Sequence, residues 1–166
     1  MRDILKNLNL FVDGKGYAGL IEEFNQPKLV AKTEEFRAGG MAAPVKLELG
    51  MEALDADFTL VSYSKDVLAL WGVQPGQTVP LVVRGFLESA DGSSTAVAIT
   101  MRGRITELDG GTWKPGEKPS MKVTLSLNYY KLEHGGAVVQ EIDVLNMVHV
   151  VNGVDRLAAQ RAALGM

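Results

Sequence analysis

His134 and His149 are the only imidazoles in this chain, and there is no cysteine. Two isolated histidines without neighbouring ligands make a poor metal site, so surface or structural roles are expected for both. Without a thiol there is no cysteine nucleophile, and no serine or threonine sits in a nucleophile-elbow setting. The carboxylate pairs Glu22-Glu23 and Glu34-Glu35 lie in extended segments. Adjacent residues there point to opposite faces, so neither pair can converge on one substrate as acid and base. Gly14-Lys15-Gly16 and Gly39-Gly40 lack the spacing and the Lys-Ser/Thr of a phosphate-binding loop, and the first reads as a hairpin turn. Arg102-Gly103-Arg104 is the one deliberate-looking basic cluster. Its arginines are two apart and share a strand face, where they could pair with carboxylates across an interface or touch a passing polyanion. A merely solvated face competes with both readings. The residues therefore predict no enzyme, no cofactor and no metal.

The elements expected to position these groups are mostly strands. Leu54, Ala56, Phe58 and Leu60 alternate with Asp55, Asp57 and Thr59. Val79, Leu81, Val83, Gly85 and Leu87 follow the pattern less cleanly. Val97, Ile99, Met101 and Ile105 oppose Thr100, Arg102, Arg104 and Thr106, and Val123, Leu125, Leu127 and Tyr129 oppose Lys122, Thr124, Ser126 and Asn128. Residues 138–150 are apolar on both faces, which predicts one strand covered twice. Asp91-Gly92 and Gly135-Gly136 are expected hairpin turns. Ser64 is placed to cap a short helix whose Val67, Leu68 and Trp71 share a face before Gly72. A C-terminal helix is expected over 154–164, with Asp155 in its first turn and Gly165 at its end. Residues 109–120 read as a long exposed loop. The class is α+β, mainly antiparallel β, in one domain spanning 1–166.

A net charge of −3 argues against a dedicated nucleic-acid binder. The N-terminus lacks a signal-peptide core, and no apolar run approaches the roughly 20 residues of a membrane span, so no membrane anchor is expected. Exposed strand edges recruit other chains unless blocked or paired. The run Thr33 to Val45 is rich in small residues, yet carries Phe36, Met41, Pro44 and Val45, which a lone monomer could not easily bury. Such groups mark an interaction surface. Ordering the loop costs about 1–2 kcal/mol per residue, and burial against a neighbour at about 25 cal/mol per Å² could offset it.

Several short stretches, in this order, carry a resemblance over nearly the whole chain. They are Asn9-Leu10-Phe11-Val12-Asp13-Gly14, Pro27-Lys28-Leu29, Glu35-Phe36-Arg37-Ala38-Gly39-Gly40-Met41 and Ala43-Pro44-Val45. Met101-Arg102-Gly103, Trp113-Lys114-Pro115-Gly116-Glu117 and Tyr129-Tyr130-Lys131-Leu132 follow, then Glu141-Ile142-Asp143 and Asn152-Gly153-Val154-Asp155-Arg156-Leu157. The chain resembles the major tail tube proteins of contractile-tailed phages, a family shared with R-type pyocins.

That resemblance implies a small β-sandwich or half-open barrel with a flanking helix, a long extended loop and a C-terminal helix. It implies a homo-oligomer: six-membered rings stacked into a hollow tube and driven through a target envelope by a contracting sheath. Sheath, baseplate or initiator, and tail terminator proteins are the implied partners, with DNA only as passing cargo. Assembly would occur in the bacterial host cytoplasm, before release in a virion tail or a bacteriocin particle. The loop over 36–49 would reach another subunit, with Phe36, Arg37, Ala38, Gly39, Gly40, Met41, Pro44 and Val45 in the interface. Glu34, Lys46 and Glu48 flank it and are expected near an acidic lumen. Arg102, Arg104, Asp155 and Arg156 are candidates for salt bridges between subunits. The competing reading is a monomeric ligand-binding β-barrel, which requires a cavity lined by apolar strand faces.

Overall fold

A computed structural model describes residues 1–72 and 74–166. Strands β1 (Ile4–Val12), β2 (Lys15–Gly16) and β3 (Ile21–Asn25) open the chain. A hairpin of β4 (Ala31–Phe36) and β5 (Val45–Met51) follows, then β6 (Leu54–Leu60) and a one-turn helix α1 (Lys65–Leu68). The long strands β7 (Val79–Glu88), β8 (Ser94–Asp109) and β9 (Met121–His134) come next. The chain ends with β10 (Ala137–Asp143), β11 (Val148–Val151), β12 (Val154–Asp155) and helix α2 (Ala158–Leu164).

All strands except β4 and β5 join one antiparallel sheet in the order β12-β11-β10-β9-β8-β7-β1-β2. The sheet forks at β9. Residues from Met121 to Leu127 pair with β6, which in turn pairs with β3, whereas Tyr129 to His134 pair with β10. Asn128 stands at the fork, where its carbonyl accepts from the Val144 amide at 2.9 Å. On the other side of β9, β8 shifts register between Arg102 and Gly103. There a Cβ on Gly103 would strike the Ser126 carbonyl oxygen and Leu127, so the Arg-Gly-Arg glycine serves a close strand approach.

Period-two alternation fills the core. In β6, Leu54, Ala56, Phe58 and Leu60 are buried while Asp55 is exposed and Asp57 and Thr59 are half-buried. Each fully buried Leu or Phe contributes about 1.5–3 kcal/mol relative to exposure. Leu10 and Val12 of β1 share one cluster with Phe58 of β6 and Val123 of β9, so the sheet curls back on itself. β1 and β3 approach each other without pairing. The gap between them is an open groove lined by Leu5, Asn7, Leu8, Gly19, Ile21 and Glu22 among others. This is the half-open barrel expected above, with its seam between β1 and β3.

Both expected hairpins form, through Asp91-Gly92 and through Gly135-Gly136. The strand expected to continue from 137 to 150 is instead two, because Asp143 folds the chain. Its carboxylate accepts from the Asn146 amide at 3.2 Å and from the Asn146 side chain at 2.8 Å. β10 and β11 pair across that turn, and their apolar residues are mostly half-buried rather than covered twice. The first helix is one turn long. Ser64 makes no side-chain cap, since its hydroxyl meets the Tyr17 hydroxyl at 3.0 Å. Val67 is buried, but Trp71 lies beyond the helix and is exposed. The C-terminal helix covers 158–164 rather than 154–164, and Asp155 belongs to β12, not to a helical first turn. No helix among the described residues is long and apolar enough to cross a membrane.

Candidate assembly surface

The β4–β5 hairpin forms a sheet of its own, and every residue of both strands is exposed. Its register pairs Phe36 with Val45, Glu35 with Lys46, Glu34 with Leu47 and Thr33 with Glu48. Directly opposed residues share a face in an antiparallel pair. Phe36, Val45 and Leu47 therefore form one apolar face, interrupted by Glu34 and bounded by Lys32. Glu35, Lys46, Thr33 and Glu48 form the polar face, with Glu35 and Lys46 of opposite sign in register. Phe36 is 52 % exposed, Val45 46 % and Leu47 47 %, so the described residues leave about half of the apolar side open to solvent.

The sequence places Glu34, Lys46 and Glu48 together, but they divide between the two faces. Lys46 and Glu48 share the polar one, while Glu34 stands opposite Leu47 on the apolar one. Leu47 and Leu49, left out of the expected contact set, belong with Val45 by the strict alternation of Val45-Lys46-Leu47-Glu48-Leu49. That period-two signal was available and was masked by reading 36–49 as a loop.

Residues 37–44 join the two strands and carry more internal order than their glycines suggest. The Met41 amide donates to the Ala38 carbonyl at 3.2 Å, and the Met41 sulfur accepts from the Ala38 amide at 3.2 Å. Arg37 Nε donates to the Met41 carbonyl at 3.1 Å. Met41 is half-buried by these contacts, whereas Ala38, Gly39, Gly40 and Pro44 are exposed. Gly40 has φ +84°, a backbone that side chains disfavour, and open space surrounds both glycines.

Among the charged candidates, Arg102 lies 4.0 Å from the centroid of the Tyr129 ring, and the Tyr129 hydroxyl donates to Glu141 Oε1 at 3.0 Å. Burial first, then the bond to Glu141, raises the Tyr129 pKa. Arg104 is exposed on the same side of β8. Asp155 is engaged within the chain: its carboxylate accepts from Arg161 and from the Leu157 amide. Arg161 also donates to the Met147 carbonyl at 2.8 Å, so one guanidinium fastens α2 to β12 and to the β10–β11 turn. That helix has no buried residue of its own. Arg156 is exposed. His149 Nε2 meets Gln140 Oε1 at 3.1 Å, and His134 is exposed at its turn, as expected of structural and surface histidines.

At the other end of β6, Tyr63 and Trp113 meet edge to face, their ring centroids 5.2 Å apart. With Lys114, Pro115, Glu117 and Pro119 they line a groove of about 410 Å³. The size is within the range of small-molecule sites, but such sites bury most of their ligand. This one is open to solvent, and the apolar strand faces are packed against one another. The geometry thus disfavours the ligand-binding barrel.

Residues 2–165 match a protein-family model described as phage tail tube protein FII. The chain is 36% identical over 166 residues to the tail tube protein of Escherichia phage P2, covering 98% of this chain and 96% of that one. It is 32% identical over 151 residues to the major tail tube protein of Serratia phage KSP20, covering 90% and 87%. A tube–sheath complex of an extracellular contractile injection system, the PVC particle in its extended state, contains a similar fold. The TM-score is 0.58 at 11% identity, covering 76% of this chain and 88% of that chain.

Proposed function

Because the chain belongs to the phage tail tube protein family, a family of structural subunits rather than enzymes, we propose that it builds the inner tube of a contractile tail as stacked six-membered rings. The tube would conduct cargo and be driven through the target envelope when a surrounding sheath contracts. Baseplate and terminator proteins would begin and end it. The observation that carries this reading is the β4–β5 hairpin. This family member projects a two-stranded arm with an apolar face that its own fold leaves about half exposed. Contiguous exposed apolar surface of this kind marks a protein contact, and the arm is built to be covered by a neighbouring subunit.

In this reading Phe36, Met41, Pro44, Val45 and Leu47 bury against that neighbour. Arg37 stays near the tip, and the polar face with Lys46 and Glu48 remains hydrated. Arg102 stacks on the Tyr129 ring, whose hydroxyl donates to Glu141, whereas Arg104 is exposed on the same side of β8. Negative-stain electron microscopy of the purified chain across a concentration series, with and without preformed tube seeds, tests the proposal. Uniform hollow tubes or stacked rings are expected. Monodisperse single subunits at every concentration, even with seeds present, would overturn it.

A further inference from the structure

We propose that the groove between Tyr63 and the loop of residues 110–120 is the socket that receives the β4–β5 hairpin of a second copy. The proposal rests on the hairpin being a contact between copies and adds where it lands. Polarity within the fold comes first. The hairpin joins β6 at its Leu54 end, where the Glu52 amide donates to the Val30 carbonyl at 2.8 Å. The groove lies at the other end: Leu60 pairs with Met121, the first residue of β9, and Tyr63 follows three residues later. Seven residues of strand separate the two ends by about 20 Å. A subunit with an arm at one end and a recess at the other joins head to tail, and a heterologous contact of that kind propagates without closing.

Surface chemistry agrees. Trp113 is 71 % exposed, although it packs edge-on against Tyr63, so the groove offers an uncovered aromatic wall. Aromatic side chains of this kind are the usual anchors of protein contacts. Two hydrogen bonds preform the loop: Gly111 N to Asp109 Oδ1 at 2.9 Å, and Glu117 N to the Lys114 carbonyl at 3.1 Å. Preformed loops lose less entropy on docking. Glu34 and Lys32 stand on the hairpin's apolar face and Arg37 at its tip, while the groove carries Lys114, Glu117 and Lys118. One opposite-charge pair, Glu34 with Lys114, is available across the contact, because Lys118 of the groove is already paired with Glu22 at 3.4 Å. Rim charges of this kind fix register and partner choice more than affinity.

Because the chain has no cysteine, cross-linking reports the contact cleanly. A Leu47→Cys/Pro115→Cys variant is grown on wild-type tube seeds, oxidised and run on a denaturing gel. A ladder of covalent dimers and higher species is expected, with only monomer from either single variant. Tubes that give no ladder, or a Leu47→Cys single variant that cross-links to itself, would overturn the socket. A charge exchange provides a second arm that does not depend on the cysteines. Glu34→Lys and Lys114→Glu should each slow seeded growth at least tenfold, and the pair together should restore it. Effects that simply multiply would overturn the pairing. In either case wild-type tubes still form, whereas wild-type protein that never grows on seeds would sink the tube reading itself.

Discussion

The side chain that holds the C-terminus in place is Arg161, and its partner sets a pH dependence. Asp155 is held below its ordinary 3.8, first by the hydrogen bond from Arg161, then by the Leu157 amide. A carboxylate with a lowered folded pKa stabilises the fold above its unfolded pKa and loses that contribution as pH falls through the folded one. The clasp is therefore complete at neutral pH and released only in acid below 3.8. Since α2 buries no residue of its own, Asp155→Asn should free it at neutral pH. Hydrogen exchange should then quicken at 158–164 while the core strands keep their protection; unchanged exchange in the helix would count against the clasp. None of this was legible in the sequence. Asp155 and Arg161 lie six apart within one expected helix, and only the turn between β12 and α2 brings their side chains together.

For the elements, strands were legible wherever one face is buried, because burial imposes a period of two. β6, β7, β8 and β9 and their two tight hairpins are of this kind. The reading failed where side-chain hydrogen bonds decide. Asp143 and Asn146 break one expected strand in two, and the Ser64 hydroxyl turns to Tyr17 instead of capping α1. The hairpin was half legible: its tip residues stood out, but its two faces emerge only from the register. Its tip carries a prediction. Gly40 has φ +84° with open space around it, so Gly40→Val should cost about 1–3 kcal/mol of local backbone strain and clash with nothing in the isolated chain. Circular dichroism and the monomer's sedimentation should stay those of wild type, while seeded tube growth should stop. A variant that still elongates normally would remove the tip from the contact.

In the whole molecule, a branched sheet curls into a barrel that does not close, an arm leaves one end, and an aromatic recess opens at the other. The family likeness legible in the ordered short stretches extends over residues 2–165, whereas the recess was not legible, because Tyr63 and Trp113 are fifty residues apart in sequence and meet only through the β6–β9 pairing. On the proposed arm contact, the exposed face of Phe36, Val45 and Leu47 would also give assembly a temperature signature. Near 25 °C, removing apolar surface from water is driven by entropy rather than heat, and the drive fades on cooling. Joining subunits through this arm should therefore absorb little or no heat near room temperature and show a negative heat-capacity change by calorimetry. Growth should be favoured by warmth, and a chilled tube should shed subunits from its ends until the sample is warmed again.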